Sequence, residues 1–397
     1  MSDLSVPMLD LKAQYASIKD EIDPAIAGVL ESQWCIGGPE VQALEEEIAA
    51  YCGTSHAAGC ASGTDAILMP LMAIGIKPGD EVICPTFTFF ATAGCIVRLG
   101  GVPVFADIDP VTFNMTEETV RAAAARCTNL KAIIPVDLYG QAVDMDAMLK
   151  LGEEFGVPII EDAAQAIGAR DAKGQRVGSR GLYGCFSFYP TKNLGAMGDA
   201  GIITTKDPEA YDRLKAMGNH GMKPKYYHSE VGLNSRLDAI QAAVLRVKLK
   251  HLDQWSEKRA SNAAFYDRTF AEAGAKTNAT PLDEGDFPLR TPQPPTLPAT
   301  HIYHQYVISV PGTIRDDLRT QLGKKGIGTE IYYPLSLHEQ ACFTDLGYAK
   351  GDLPVSELAA QQTIAIPIHP ELSDAQLEYV TGNVIKFVNQ CSPIAQV

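Results

Sequence analysis

Residues 158–165 read Pro158-Ile159-Ile160-Glu161-Asp162-Ala163-Ala164-Gln165. A proline opens a short apolar run that ends directly on two carboxylates, the pattern of a buried strand over 158–161 whose C-terminal end carries charge. Open α/β sheets place their ligands at that end of their strands. Taken alone, Glu161 and Asp162 are equally compatible with a strand end that caps the following helix.

Working outward, apolar runs over 56–60, 81–84, 103–108 and 132–136 alternate with helical patterns over 65–74, 92–99, 117–126 and 145–155. Such alternation predicts an α/β layered domain with a mainly parallel sheet. Two more strands are predicted over 184–188 and 201–205, and one long helix over 235–257. The first fifty residues read as helices, broken at Gly37-Gly38 and restarted at Pro39. The stretch 277–298 is rich in proline and acid without a period, and reads as a surface loop. Beyond it, strands over 304–310, 328–333 and 363–368 alternate with helices over 315–324, 355–362 and 374–389, which predicts a second, smaller α/β domain. At 397 residues the chain exceeds the size of one compact core, and the division falls between 1–258 and 259–397.

Composition narrows the class. Hydrophobic residues at 46% and charged ones at 20% fit a folded globular chain. A net charge of −15 argues against a nucleic-acid or anionic-membrane partner. No run approaches the roughly 20 apolar residues that cross a bilayer, and the start lacks a signal-peptide pattern. The nine cysteines are scattered without a CxxC pair, which reads as reduced thiols in a cytoplasm and as no zinc site.

Two further stretches carry chemistry. In Ser187-Phe188-Tyr189-Pro190-Thr191-Lys192-Asn193-Leu194-Gly195, Lys192 lies just past an apolar strand in a loop flanked by serine and glycine. Most lysines are solvated surface charges. One held in such a loop is desolvated, and its freed amine suits Schiff-base chemistry. In Cys60-Ala61-Ser62-Gly63-Thr64-Asp65-Ala66, a strand passes through small residues into a helix, aiming backbone N–H groups at a phosphate. A strand-end carboxylate, a loop lysine and a phosphate turn together are what pyridoxal phosphate requires, because its pyridine nitrogen stays protonated beside a carboxylate.

Nearly the whole chain resembles the fold-type-I nucleotide-sugar aminotransferases of the DegT–DnrJ type. The resemblance rests on Leu9-Asp10-Leu11, Gly63-Thr64-Asp65-Ala66, residues 85–92, 161–165, 187–192 and 232–238, and Tyr333-Pro334. It implies a large cofactor-binding domain over 1–258 and a small C-terminal domain over 259–397. It implies that Lys192 is the Schiff-base lysine and proton carrier, that Asp162 pairs with the pyridine nitrogen, and that Gln165 contacts the phenolic oxygen. Gly63, Thr64 and Ser187 would hold the phosphate, and Phe89 would stack on the ring. Asn234 would reach the cofactor of a neighbouring subunit, making a homodimer with shared sites, although an asparagine before a helix also suits an N-cap. Many relatives read His-Tyr-Pro where this chain has Tyr332-Tyr333-Pro334, so sugar contacts do not carry over there. Tyr333, His220 and His338 are candidates for the sugar pocket, and each histidine is equally compatible with a structural role.

The activity implied is transfer of an amino group from glutamate to a keto sugar on a nucleotide, a UDP-linked 3-keto sugar before a UDP- or dTDP-linked 4-keto sugar. Two rivals are weighed. Sugar dehydratases of this fold carry histidine at the Lys192 position, and a non-catalytic regulatory relative would not need the intact Lys192, Asp162 and Gln165 set.

Overall fold

The computed structural model describes residues 4–391. Helix α1 (Leu11–Ser32) starts on Asp10, whose carboxylate accepts the Ala13 N–H at 2.9 Å. Helix α2 (Gly38–Cys52) carries Pro39 in its first turn, where a missing N–H costs nothing. Five strands then alternate with helices: β1 (His56–Cys60), α3 (Gly63–Ala73), β2 (Glu81–Pro85), α4 (Ala91–Arg98), β3 (Val102–Ala106), α5 (Glu117–Ala124), β4 (Leu130–Ile133), α6 (Met145–Phe155) and β5 (Ile160–Asp162). Strands β6 (Tyr183–Ser187) and β7 (Gly201–Thr205) follow, then α7 (Pro208–Met217).

The strands form two ladders, β1-β7-β6-β5 and β3-β2-β4. Parallel bridges Ile133–Ile159 and Val136–Asp162 join them side by side. Every pairing is parallel except those of β7, which runs against both β1 and β6. The predicted mainly parallel sheet is therefore observed. Helices cover both faces, as an all-buried parallel sheet demands. Residues of α3 and α4 pack on one side and residues of α2 on the other. Phe186 and Phe188 are buried at 1% and 0% exposure. At about 1.5–3 kcal/mol each, they anchor β6 and the loop it feeds.

The predicted helix over 235–257 is two helices, α8 (Ala239–Leu249) and α9 (Leu252–Glu272). The chain breaks at Lys250 and His251, whose N–H groups bond three residues back rather than four. The break lets α8 pack on α2 while α9 turns toward a second core, where its Ala263, Tyr266 and Phe270 meet Val6 from near the start of the chain. The boundary expected at 258/259 thus lies inside α9.

The second core holds an antiparallel ladder built on β10 (Tyr306–Ser309) and β11 (Thr363–Ile366), with α10 (Gly312–Lys324), α11 (Pro354–Gln362) and α12 (Asp374–Cys391) around it. Two expectations fail here. The loop over 277–298 supplies short strands, β8 (Lys276–Thr277) and β9 (Arg290–Thr291), because the buried Arg290 guanidinium gathers the carbonyls of Thr280, Pro281, Glu284, Phe287 and Leu289. The expected strand over 328–333 is reduced to a bridge between Glu330 and Ala365. Its neighbouring backbone groups are taken by the chain's own start, where Gly328 N–H donates to the Val6 carbonyl at 2.8 Å. No described helix is long and apolar enough to cross a membrane, and no disulfide forms among the described cysteines.

Candidate functional site

Asp162 is the last residue of β5, one position later than the expected strand end, and is 4% exposed. Its Oδ2 accepts the Thr92 hydroxyl at 2.8 Å and its Oδ1 accepts the Ala164 N–H at 3.2 Å. Burial pushes this carboxyl above its ordinary value, against the pull of those two donors and of the Lys192 charge. Glu161, its neighbour, points elsewhere. It is buried and accepts N–H groups from Gly178, Arg180 and Gly181, so it pins the following loop.

Lys192 sits in a loop that leaves β6 and returns to β7. Lys192 N–H donates to the Tyr189 carbonyl and Ala196 N–H to the Phe188 carbonyl, both at 2.8 Å. The turn is tight enough that a Cβ on Gly195 would lie 2.3 Å from the Pro190 oxygen, so no larger residue fits there. Lys248, buried on α8, donates its Nζ to the Gly195 carbonyl at 2.7 Å and holds the loop from behind. Burial pulls the Lys192 amine down to about 8, with the nearby Asp162 charge opposing. The charges of Lys192 and Asp162 therefore act on each other, with the aspartate buried and the lysine half-buried.

Gln165 and Tyr333 also come together, though 168 residues apart. Gln165 Nε2 donates to the Tyr333 hydroxyl at 2.8 Å, and its Oε1 accepts the Tyr139 N–H at 2.8 Å. Tyr333 is held edge-on by Phe87 at 5.2 Å and stacked against Tyr139 at 6.0 Å.

At the other end, Gly63 and Thr64 open α3 behind its cap Ser62, which accepts the Asp65 N–H at 3.1 Å. A Cβ on Gly63 would lie 2.4 Å from the Ser187 Cβ and 2.7 Å from its Oγ. The absent side chain thus leaves helix N–H groups and a serine hydroxyl side by side, a cradle suited to a phosphate. Phe89 stands 62% exposed beside this region of α4, whereas Phe90 stacks on Phe343 at 5.5 Å. The residues fit pyridoxal phosphate by their donor set: a buried carboxylate for the ring nitrogen, a weakly basic amine, and a phosphate cradle that any Cβ on Gly63 would fill.

Three further expected residues lie as follows. Asn234 is not a helix cap: α8 starts after Asp238, and Asn234 is exposed in a bridge with Asn219. Ser235, next to it, donates to Asp65 Oδ2 at 2.7 Å, so this segment borders the first turn of α3. His220 is exposed, with φ of 61° and its carbonyl accepting from His228 Nδ1. His338 does not line an open pocket. It is 3% exposed, and its two ring nitrogens engage Thr86 at 2.8 Å and Glu357 at 3.2 Å.

Sequence reasoning missed the supports. Asn193 Oδ1 meets His304 Nδ1 at 2.9 Å, and burial together with the Lys192 charge holds that imidazole well below its usual value. His304 lay inside an expected strand, and nothing in the pattern set it apart. Lys248 was likewise an ordinary helix residue on paper, and Thr92 closed the stretch 85–92 with no role attached to it.

The chain matches the model of the DegT/DnrJ/EryC1/StrS aminotransferase family over residues 16–385. It is 47% identical to the pleiotropic regulatory protein of Geobacillus stearothermophilus, over 97% of this chain and 99% of that one. It is 42% identical to the UDP-N-acetyl-3-dehydro-alpha-D-glucosamine 3-aminotransferase of Acidithiobacillus ferrooxidans, over 94% and 95%. Among solved structures, DesV of S. venezuelae in complex with a ketimine intermediate has a TM-score of 0.89 at 38% identity, covering 97% of this chain and 98% of that one.

Proposed function

Because the chain belongs to the DegT/DnrJ/EryC1/StrS aminotransferase family and is a pyridoxal-phosphate aminotransferase, we infer that its acceptor is the keto group of a sugar carried on a nucleoside diphosphate. What supports this reading is the likeness to the Acidithiobacillus sugar aminotransferase, beside a buried Asp162 carboxylate and a Lys192 amine drawn down to about 8.

Bound pyridoxal phosphate supplies an electron sink for the charge left when a proton leaves the carbon that bears nitrogen. The chain's own residues do the rest. Lys192 anchors the cofactor and afterwards holds and moves the proton. With a pKa of about 8, about a tenth of its amine is neutral at pH 7. Asp162 would pair with the ring nitrogen and keep it protonated, since a cation beside the carboxylate lowers the raised pKa of the acid. Gln165 would turn its remaining amide capacity to the phenolic oxygen, Phe89 would cover a ring face, and Gly63, Thr64 and Ser187 would receive the phosphate.

The sugar we propose is UDP-linked and oxidised at C3, a reading supported by the name of the Acidithiobacillus relative. The amino donor we propose is glutamate. Tyr333 and the exposed His220 are the sugar-facing candidates. The Geobacillus relative is named for regulation, but a complete Lys192, Asp162 and Gln165 set favours catalysis here. We further propose a cytoplasmic homodimer in which Asn234 serves the neighbouring copy's site. Support comes from uncovered side chains near Asn234, where Tyr226 and Val231 are 77% and 90% exposed.

The test is a panel of 3-keto and 4-keto nucleotide sugars offered to the pyridoxamine-loaded protein. Loss of the pyridoxamine absorbance with a UDP-linked 3-keto sugar is expected. Faster loss with a 4-keto sugar would move the assignment to C4, and loss with none would remove the nucleotide sugar.

A further inference from the structure

Helix α4 touches both ends of the site. Thr92, in its first turn, is fully buried and donates its hydroxyl to Asp162 Oδ2. One turn later, Cys95 Sγ lies 3.3 Å from the Thr64 carbonyl in the first turn of α3. The helix therefore spans from the carboxylate to the phosphate cradle, and Phe89 sits immediately ahead of it.

The surroundings of Asp162 make its donors matter. Lys192 favours the ionised carboxylate, but burial opposes it. The charge on Asp162 in turn helps to keep the Asp137 carboxyl, the thiols of Cys84, Cys95 and Cys185 and the Tyr333 phenol protonated. Each carboxylate oxygen has two acceptor positions. With one taken on Oδ2 by Thr92 and one on Oδ1 by Ala164 N–H, the plane of the group is set and a position on each oxygen remains.

We propose that Thr92 is a positioning residue for Asp162: its hydroxyl keeps the carboxylate ionised and turned toward the cofactor's ring nitrogen. This rests on the reading of Asp162 given above. Removing the hydroxyl raises the proton affinity of the carboxylate, and the proton shared with the ring nitrogen moves toward Asp162. The ring is then a weaker electron sink, and turnover slows although every group that touches the cofactor is still present. Valine matches threonine in shape, so packing around α4 is kept, and serine keeps the hydroxyl.

The test reads the ring nitrogen directly, by NMR of the protein loaded with pyridoxal phosphate labelled with ¹⁵N at the pyridine position. The unchanged protein should show a protonated nitrogen. Thr92→Val should move the resonance toward the unprotonated position and lower kcat about tenfold or more, with KM for the sugar little changed. Thr92→Ser should restore both. An unshifted resonance in Thr92→Val overturns the proposal while leaving Asp162 in its role. A Thr92→Ser protein that behaves as Thr92→Val overturns it too, since the side chain's shape and not its hydroxyl would then matter. An unprotonated nitrogen in the unchanged protein would overturn the role of Asp162 itself, and this proposal with it.

Discussion

Lys192 carries its charge reluctantly because burial removes the water that solvates an ammonium, and the attraction of Asp162 does not make up the loss. The same imbalance bears on stability. The folded amine titrates near 8, below its ordinary 10.5, so the unfolded chain binds more protons between those values. The cost is fully present below pH 8 and fades as pH rises toward 10.5. In the cofactor-free protein, Lys192→Met should raise the melting temperature by a few degrees at pH 7 and by less at pH 9. An equal gain at both would show that the amine is not held back from charging. Lys248, also drawn down to about 8, is common to both proteins and cancels. Asp162→Asn makes the complementary case, because it keeps the shape and removes the charge opposite the ring nitrogen. At about 1.4 kcal/mol per pKa unit, losing a few units of ring basicity should slow turnover about a hundredfold or more. Near-normal rates would assign the task to another group.

Among the elements, α3 has the plainest constraint. Its first residue lies against Ser187 with no room for a Cβ, so chain connectivity brings a helix N-terminus and a strand-end hydroxyl into one cradle. Gly63→Ala should cost about 1–3 kcal/mol of stability from the forced contact, and should weaken cofactor binding about tenfold. Adding Ser187→Gly should recover the stability, read by denaturant unfolding, and not the binding, read by cofactor titration. Recovery of both would mean that the serine hydroxyl contributes nothing to the phosphate. The break between α8 and α9 works at the same scale. A helix continued through Lys250 would carry α9 away from the second core, where Tyr266 hydroxyl donates to the Pro367 carbonyl at 2.7 Å.

For the whole molecule, a net charge of −15 opposes any dianionic ligand, and every neutral donor near the cradle counts. Asn234 is such a donor, exposed at the edge of a segment whose tyrosines and valine are uncovered. If it serves a neighbouring copy, mixing Lys192→Ala with Asn234→Ala chains should restore activity toward a quarter of the unchanged level, as mixed dimers form with one intact composite site each. Were subunit exchange shown and no activity regained, Asn234 would act within its own chain, consistent with the bond from Ser235 to Asp65.

Local order was legible from residue pattern alone. The alternation of apolar runs and helical periods marked the strands of the large sheet and its mainly parallel order. The loop lysine and the strand-end carboxylate were each ambiguous alone; their combination with the phosphate turn pointed to a cofactor, and the resemblance of the motifs attached roles to them. What tertiary structure alone decided is which distant groups meet. β7 runs against its neighbours because the Lys192 loop turns straight back, and hydrophobic pattern does not encode direction. The expected strand over 328–333 gave way at its start, where Val6 bridges to Ile327 and takes the Gly328 N–H. Thr92 reaches Asp162 across 70 residues, and Gln165 reaches Tyr333 across 168. A hydroxyl buried in a helix looks like any other threonine until packing shows what it is bonded to, since hydrogen-bond partners are set by geometry in space and not by spacing along the chain.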